Sequence, residues 1–291
     1  MLTDKLILFI AAAGDAVSKA TGVAESTAAV GAAVSADAVS SATVANAPVT
    51  GLAQIFGRIE YFIMVPMVYL ALLFCLAAIV LHIAAIFKAP AQPYSLRIYP
   101  AAKRPGLAAA IDAFGMPQIR RRKPVFWVFL MIFHISFLLL ILGHLDILPQ
   151  ISLVPEASRD MLGAGLVGVF VTVPLFYFLF RRFRSPNREI TVPADYLLLI
   201  LLLFLCLFGD LMSWGNSWTA NGFVMTKQDF AQYFGGLLSF SFADPRLVLH
   251  GSHYHFVVIH VLLAEVFFIV LPFSKVVHAF LTLPINMLRR K

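Results

Sequence analysis

Charge is scarce in this chain. Only 13% of its 291 residues are Asp, Glu, Lys or Arg, whereas a soluble domain carries about a quarter. Cysteine is scarcer: Cys75 and Cys206 are the only two, each inside an apolar run. A cysteine-held iron–sulfur cluster takes four thiolates, so these two read as small apolar packing residues. Acidic residues are nearly missing from two of the loops, where bases crowd. A net charge of +7 and a pI near 9.6 would suit a nucleic-acid binder. The bases, however, flank apolar runs and belong to no recognition module.

What the chain has in excess is apolar length. Hydrophobic residues make up 60% and the mean hydropathy is +0.88. This is the composition of an integral membrane protein. A helix needs about 20 residues to cross the hydrocarbon. Five runs of that order occur, near 61–87, 125–148, 161–180, 195–212 and 253–283. The last contains Pro272, which removes a backbone donor and is expected to kink its helix. The predicted fold class is all-α, a five-helix membrane bundle.

The loops orient it. Between runs one and two stand Lys88, Arg97, Lys103, Arg104, Arg120, Arg121, Arg122 and Lys123 against Asp112 alone. Between runs three and four stand Arg181, Arg182, Arg184 and Arg188 against Glu189, and the tail ends Arg289-Arg290-Lys291. The alternate loops are poor in base. The positive-inside rule then predicts the N-terminus outside and the C-terminus in the cytoplasm. "RRRK" at 120–123 and "RRFR" at 181–184 read as headgroup anchors; the former could also meet an acidic partner. Trp214, Trp218 and Tyr254 suit the aromatic belt at the outer interface.

Residues 1–55 differ from the remainder, being built mainly of Ala, Val, Ser, Thr and Gly. The apolar start is short and weakly charged for a signal sequence. The expectation is an outer-side arm over 1–55 that stays on the chain, followed by the helical domain over 56–291. A sixth span within 1–50 is the alternative.

The chemistry rests with the histidines. An ionisable side chain within the bilayer is costly, and is a functional hypothesis by default. His134 and His144 lie ten residues apart in run two, about 15 Å along a helix and broadly on one side of it. His260 and His278 lie eighteen apart in run five, five turns and about 27 Å in a straight helix. The two runs are antiparallel, so His134 and His278 fall in the inner half and His144 and His260 in the outer half. Bis-histidine ligation holds haem iron, and two haems at two depths would conduct electrons across the membrane. The unequal rises oppose this pairing, and a bend at Pro272 is needed to reconcile them. Two other readings stay open: four separate packing histidines, and a proton pathway, for which Glu265 is the clear intramembrane acid. His82 alone reads equally well as an inter-helix hydrogen bond.

These spacings, with five spans and an inside C-terminus, resemble the di-haem cytochrome b (gamma) subunit of respiratory nitrate reductases over about 61–290. The resemblance implies two b haems, held by His134 with His278 and by His144 with His260. It implies quinol chemistry beside the outer haem, at Gly143-His144. The family's quinol-site lysine has no counterpart here, and Arg159 is the nearest base. The sequence departs from the nitrate reductase type in its arm, its long basic first loop and roughly forty extra residues before run five. These departures fit the branch found in sulfate-reducing bacteria better, with a true nitrate reductase subunit as the alternative. There a similar cytochrome b joins a cytoplasmic iron–sulfur protein resembling heterodisulfide reductase, often with a periplasmic multihaem cytochrome c. The expected setting is the bacterial inner membrane, with menaquinone as the quinone and no nucleic-acid partner. A redox-inactive anchor and a proton-conducting subunit are the competing functions.

"HGSHYH" at 250–255 opens run five. Its spacing could suit a metal, but no nearby Cys or acid completes a set, and a partly solvated interfacial cluster is the favoured reading. His253 lies seven residues before His260, nearly on the same face, and is the best of the three for a quinone pocket.

Overall fold

A computed structural model describes residues 51–88, 102–148, 151, 165–218, 227–249 and 253–290. Among these residues every regular element is helical. The cause is the solvent that the apolar runs require. With no water to satisfy its amides, a spanning backbone must bond within itself.

The first spanning stretch covers Gly51–Ile86. It consists of α1 (Gly51–Phe62), a π-helical turn (Ile63–Met67) and α2 (Val68–Lys88). The π turn contains Pro66. A proline ring collides with the carbonyl four residues back, and one extra residue in the turn relieves that collision. A basic connector follows, with α3 (Pro105–Ala110), a second π turn (Ile111–Gly115) and α4 (Pro117–Arg122). Span two is α5 (Pro124–Leu145), span three α6 (Leu166–Phe183) and span four α7 (Pro193–Trp218). Next come α8 (Lys227–Leu238) and a 3₁₀ turn (Pro245–Leu247), then α9 (Tyr254–Val270) and α10 (His278–Arg290). Pro105, Pro117 and Pro124 each sit in the first turn of their helices, where a missing N–H costs nothing.

Among the described residues five helices are long and apolar enough to cross a membrane, as expected. Several limits moved. Span one begins ten residues earlier than its apolar run, because Arg58 and Glu60 ride on a helix that continues past the hydrocarbon. Span five differs more. Its helix ends at Val270, passes through 3₁₀ turns at Leu271–Phe273 and Lys275–Val277, and restarts at His278. The chain is broken at Pro272 and not merely kinked.

The spans pack in the order two, three, four, five, one. Two buried clusters hold them. One joins Met64, Val65, Tyr233, Leu249 and Val257 at the end where span one begins. The other joins Cys75, Val171, Leu175, Cys206 and Phe267 deeper in the bundle. Both thiols are free and sit in that second cluster as packing residues.

Candidate functional site

Spans two and five are not neighbours in the packing order, yet two histidines of each face one another. The rings of His134 and His278 lie 6.1 Å apart, centroid to centroid, and are nearly perpendicular at 74°. Those of His144 and His260 lie 6.3 Å apart and are nearly parallel at 14°. The break in span five answers the mismatch in rise. His278 does not continue the α9 helix but opens α10 beyond the 3₁₀ turns, so a straight run of about 27 Å does not apply.

Each ring is held the same way. Nδ1–H of His134 donates to the Leu130 carbonyl at 2.7 Å, and Nδ1–H of His144 to that of Leu140 at 2.8 Å. His278 donates to the Lys275 carbonyl at 2.6 Å. His260 reaches across to span four and donates to the Leu205 carbonyl at 3.1 Å. A carbonyl can only accept, so all four imidazoles present Nδ1–H to it, and in the neutral ring that leaves the lone pair on Nε2. This is the usual arrangement of a metal-ligating histidine, in which a backbone partner fixes tautomer and orientation. Two imidazoles bound to opposite sides of one metal, each at roughly 2 Å, would place their centroids roughly 6 Å apart. The spacing of each pair therefore fits a metal group held between two histidines, haem iron included. Span two adds a second sign of fit. Of the 22 residues in α5, Ser136 alone is buried, leaving the helix with a largely uncovered surface.

Supporting residues come from elsewhere in the chain. Gly209 on span four lets His260 approach: a Cβ there would stand 3.2 Å from His260 Cε1. Asp195, buried at the start of α7, accepts from Lys275 at 2.7 Å and from Arg182 at 3.0 Å. It thereby ties spans three and four to the short turn that presents His278. Thr172 on span three donates to Asp210 on span four at 2.9 Å. Gly168 makes room for that carboxylate, which a Cβ would overlap. Glu265 is buried on α9, and neither of its oxygens has a hydrogen-bond partner among the described residues.

At the opposite end, Glu60 accepts from His255 Nδ1 at 2.6 Å and from Arg246. An acid does therefore meet the "HGSHYH" stretch, delivered from span one and invisible to local spacing. Among the described residues no group of three or more His, Cys, Asp or Glu could hold a metal ion. His253 precedes α9 and stacks on Phe256 at 6.0 Å. Gly143 has open space where a Cβ would be. His82 packs edge-on against Phe273 at 5.8 Å, as a packing histidine would. Arg159, His250 and residues 1–50 lie outside the described residues, as do the side chains of Trp214 and Trp218.

Five apolar helices with two facing imidazole pairs define a multi-pass membrane protein built around paired histidines. Comparison with known families then places it. The profile of the nitrate reductase gamma subunit family matches residues 117–291, more than half of the chain, and the chain belongs to that family. The family consists of membrane cytochrome b subunits of respiratory complexes. The matched stretch takes in spans two to five, and span one lies ahead of it. A search of curated proteins finds no match.

Proposed function

We propose that this chain is the electron-transferring membrane subunit between menaquinone, met on the outer side, and a cytoplasmic iron–sulfur subunit. His134 with His278 and His144 with His260 would each hold one b haem. The observation that carries the reading is the facing of these pairs with every Nδ1 already committed to a carbonyl. When bound, two such haems supply one-electron redox chemistry at two depths of the membrane.

The residues of the chain orient and insulate these sites. The carbonyl bonds hold each ring in place, and the Asp195 clamp fixes the turn before His278. Positive-inside bias in the loops supports an outside N-terminus, which puts His144 and His260 in the outer half. A quinone would then meet the chain near Gly143, His144 and His253, where Gly143 leaves open space. Arg159 would be its nearest base in sequence. The hydrogen-bonded pair of His255 and Glu60 at the same end can hold a proton. The partners follow the resemblance: a cytoplasmic iron–sulfur protein like that of heterodisulfide reductase, which would meet the basic connector, and a periplasmic multihaem cytochrome c on the outer side. The setting would be a bacterial inner membrane.

A reduced-minus-oxidised spectrum of the purified protein tests the ligand sets. Two b-type centres should be present. His134→Ala or His278→Ala should remove one, and His144→Ala or His260→Ala the other. Full b-type absorbance in any of the four variants would refute that residue's role. A protein with no b-type band would instead be a redox-inactive anchor.

A further inference from the structure

The segment between spans four and five contains a hairpin that folds back along span one. Tyr233 on α8 donates to the Met64 carbonyl at 2.6 Å. One turn later the Leu237 carbonyl accepts from Tyr69 at 2.7 Å. The chain then reverses. The Phe242 carbonyl accepts from Tyr61 at 2.9 Å, and Arg246 pairs with Glu60. Contacts with span one thus step down from Met64 to Tyr69 and back up to Tyr61 and Glu60. Eight residues separate Tyr61 from Tyr69, about 12 Å of helix.

The turn at the bottom combines two features. Its backbone is internally bonded: Ser239 N–H donates to Gly235 O at 3.0 Å, Phe240 N–H to Leu237 O at 3.1 Å and Ser241 N–H to Gly236 O at 2.8 Å. Its large side chains, which alternate with Ser239 and Ser241, are apolar and open. Phe240 is 69% exposed, Phe242 60% and Leu238 56%. Phe240 adopts φ 56°, a left-handed conformation that a bulky residue takes only under constraint. That conformation keeps its ring stacked on Tyr69 at 5.5 Å.

Tyr69 lies inside the apolar part of span one, eight residues past Tyr61. Leu70, Leu72, Leu73, Phe74 and Leu76 below it are exposed, the acyl-facing surface of a spanning helix. The tip of the hairpin continues that surface. The paired amides are an αL helix cap that would form in water as well. What a loop in water has no reason to do is present Phe, Phe and Leu, whereas a loop in the interfacial layer gains by it. We infer that the 238–242 tip inserts into the acyl region of the leaflet beside the start of span one, with lipid as its partner. In the orientation proposed above this is the outer leaflet. The inference requires only that span one crosses the bilayer, and it stands or falls independently of haem and quinone.

The test uses the full chain in phospholipid vesicles, with Cys75→Ala and Cys206→Ala as background. Spin labels go on Phe240→Cys, on Phe242→Cys, on Leu73→Cys as the acyl reference, and on Lys103→Cys as the aqueous reference. Power saturation compares dissolved oxygen, which concentrates among acyl chains, with a water-soluble nickel chelate. Labels at 240 and 242 should follow Leu73→Cys, with oxygen the more effective relaxant. If they follow Lys103→Cys the tip lies in water, and if both reagents are excluded it is covered by protein. Either result overturns the inference.

Discussion

At the scale of single residues, the most informative atoms are the four Nδ1 nitrogens. A histidine filling an apolar gap could bond through either nitrogen, whereas these four all spend the same one on a carbonyl. Gly209 follows from the same logic. Gly209→Ala would press on His260, whose ring must give by a few tenths of an ångström. If the pairs hold haems as proposed, the potential of the His144/His260 centre should shift in a redox titration while that of the other centre stays put; equal shifts would mean a general disturbance. Glu265 makes the opposite kind of prediction. A buried carboxyl without partners costs about 1–3 kcal/mol. Glu265→Leu should therefore raise the unfolding temperature in detergent. If the carboxyl is retained for proton transfer, the same variant should slow quinol-linked proton release, a stability gain at the expense of activity.

At the scale of elements, the periodicity of runs two and five made the histidine pairing legible before any coordinates. The ten-residue spacing is a helical fact, and it survives in α5 because nothing interrupts that helix. The eighteen-residue spacing was read as five turns of one helix, and that reading was too simple. Pro272 signalled a disturbance, but its form depended on Lys275, whose ammonium is drawn to Asp195 across 80 positions of sequence. The Glu60–His255 contact spans 195 positions and has no local signature at all. Gly209, next to Asp210 in an apolar run, was a visible signal that went unread. If the Asp195 clamp sets the turn, Asp195→Asn should loosen the His134/His278 centre selectively. Its b-type absorbance should fall or its midpoint potential move, with the His144/His260 centre unchanged. Loss of both centres together would mark Asp195 as a residue of general stability.

At the scale of the whole molecule, the bundle separates two ends of different chemistry. One carries the paired bases of the connector and of span three. The other gathers Glu60, Arg246, His255 and the hydrogen bond of Lys227 to Asp146 at 2.5 Å. If quinol is oxidised at the second end and electrons leave at the first, protons and electrons part company across the membrane. Right-side-out vesicles containing the native complex should then acidify the external medium when a menaquinol analogue is oxidised. Acidification of the lumen instead would place the quinone site at the other end.

The break in span five has a mechanical consequence. Beyond it, α10 packs against α3 and the adjoining π turn of the basic connector, so His278 belongs to that assembly more than to the span it follows. His260 sits on the far side of the joint, in a continuous helix. A protein gripping the connector would therefore have leverage on one imidazole and almost none on the other. If the two pairs hold haems as proposed, assembly of the complex would retune the one at His278 and leave its neighbour as the membrane alone sets it.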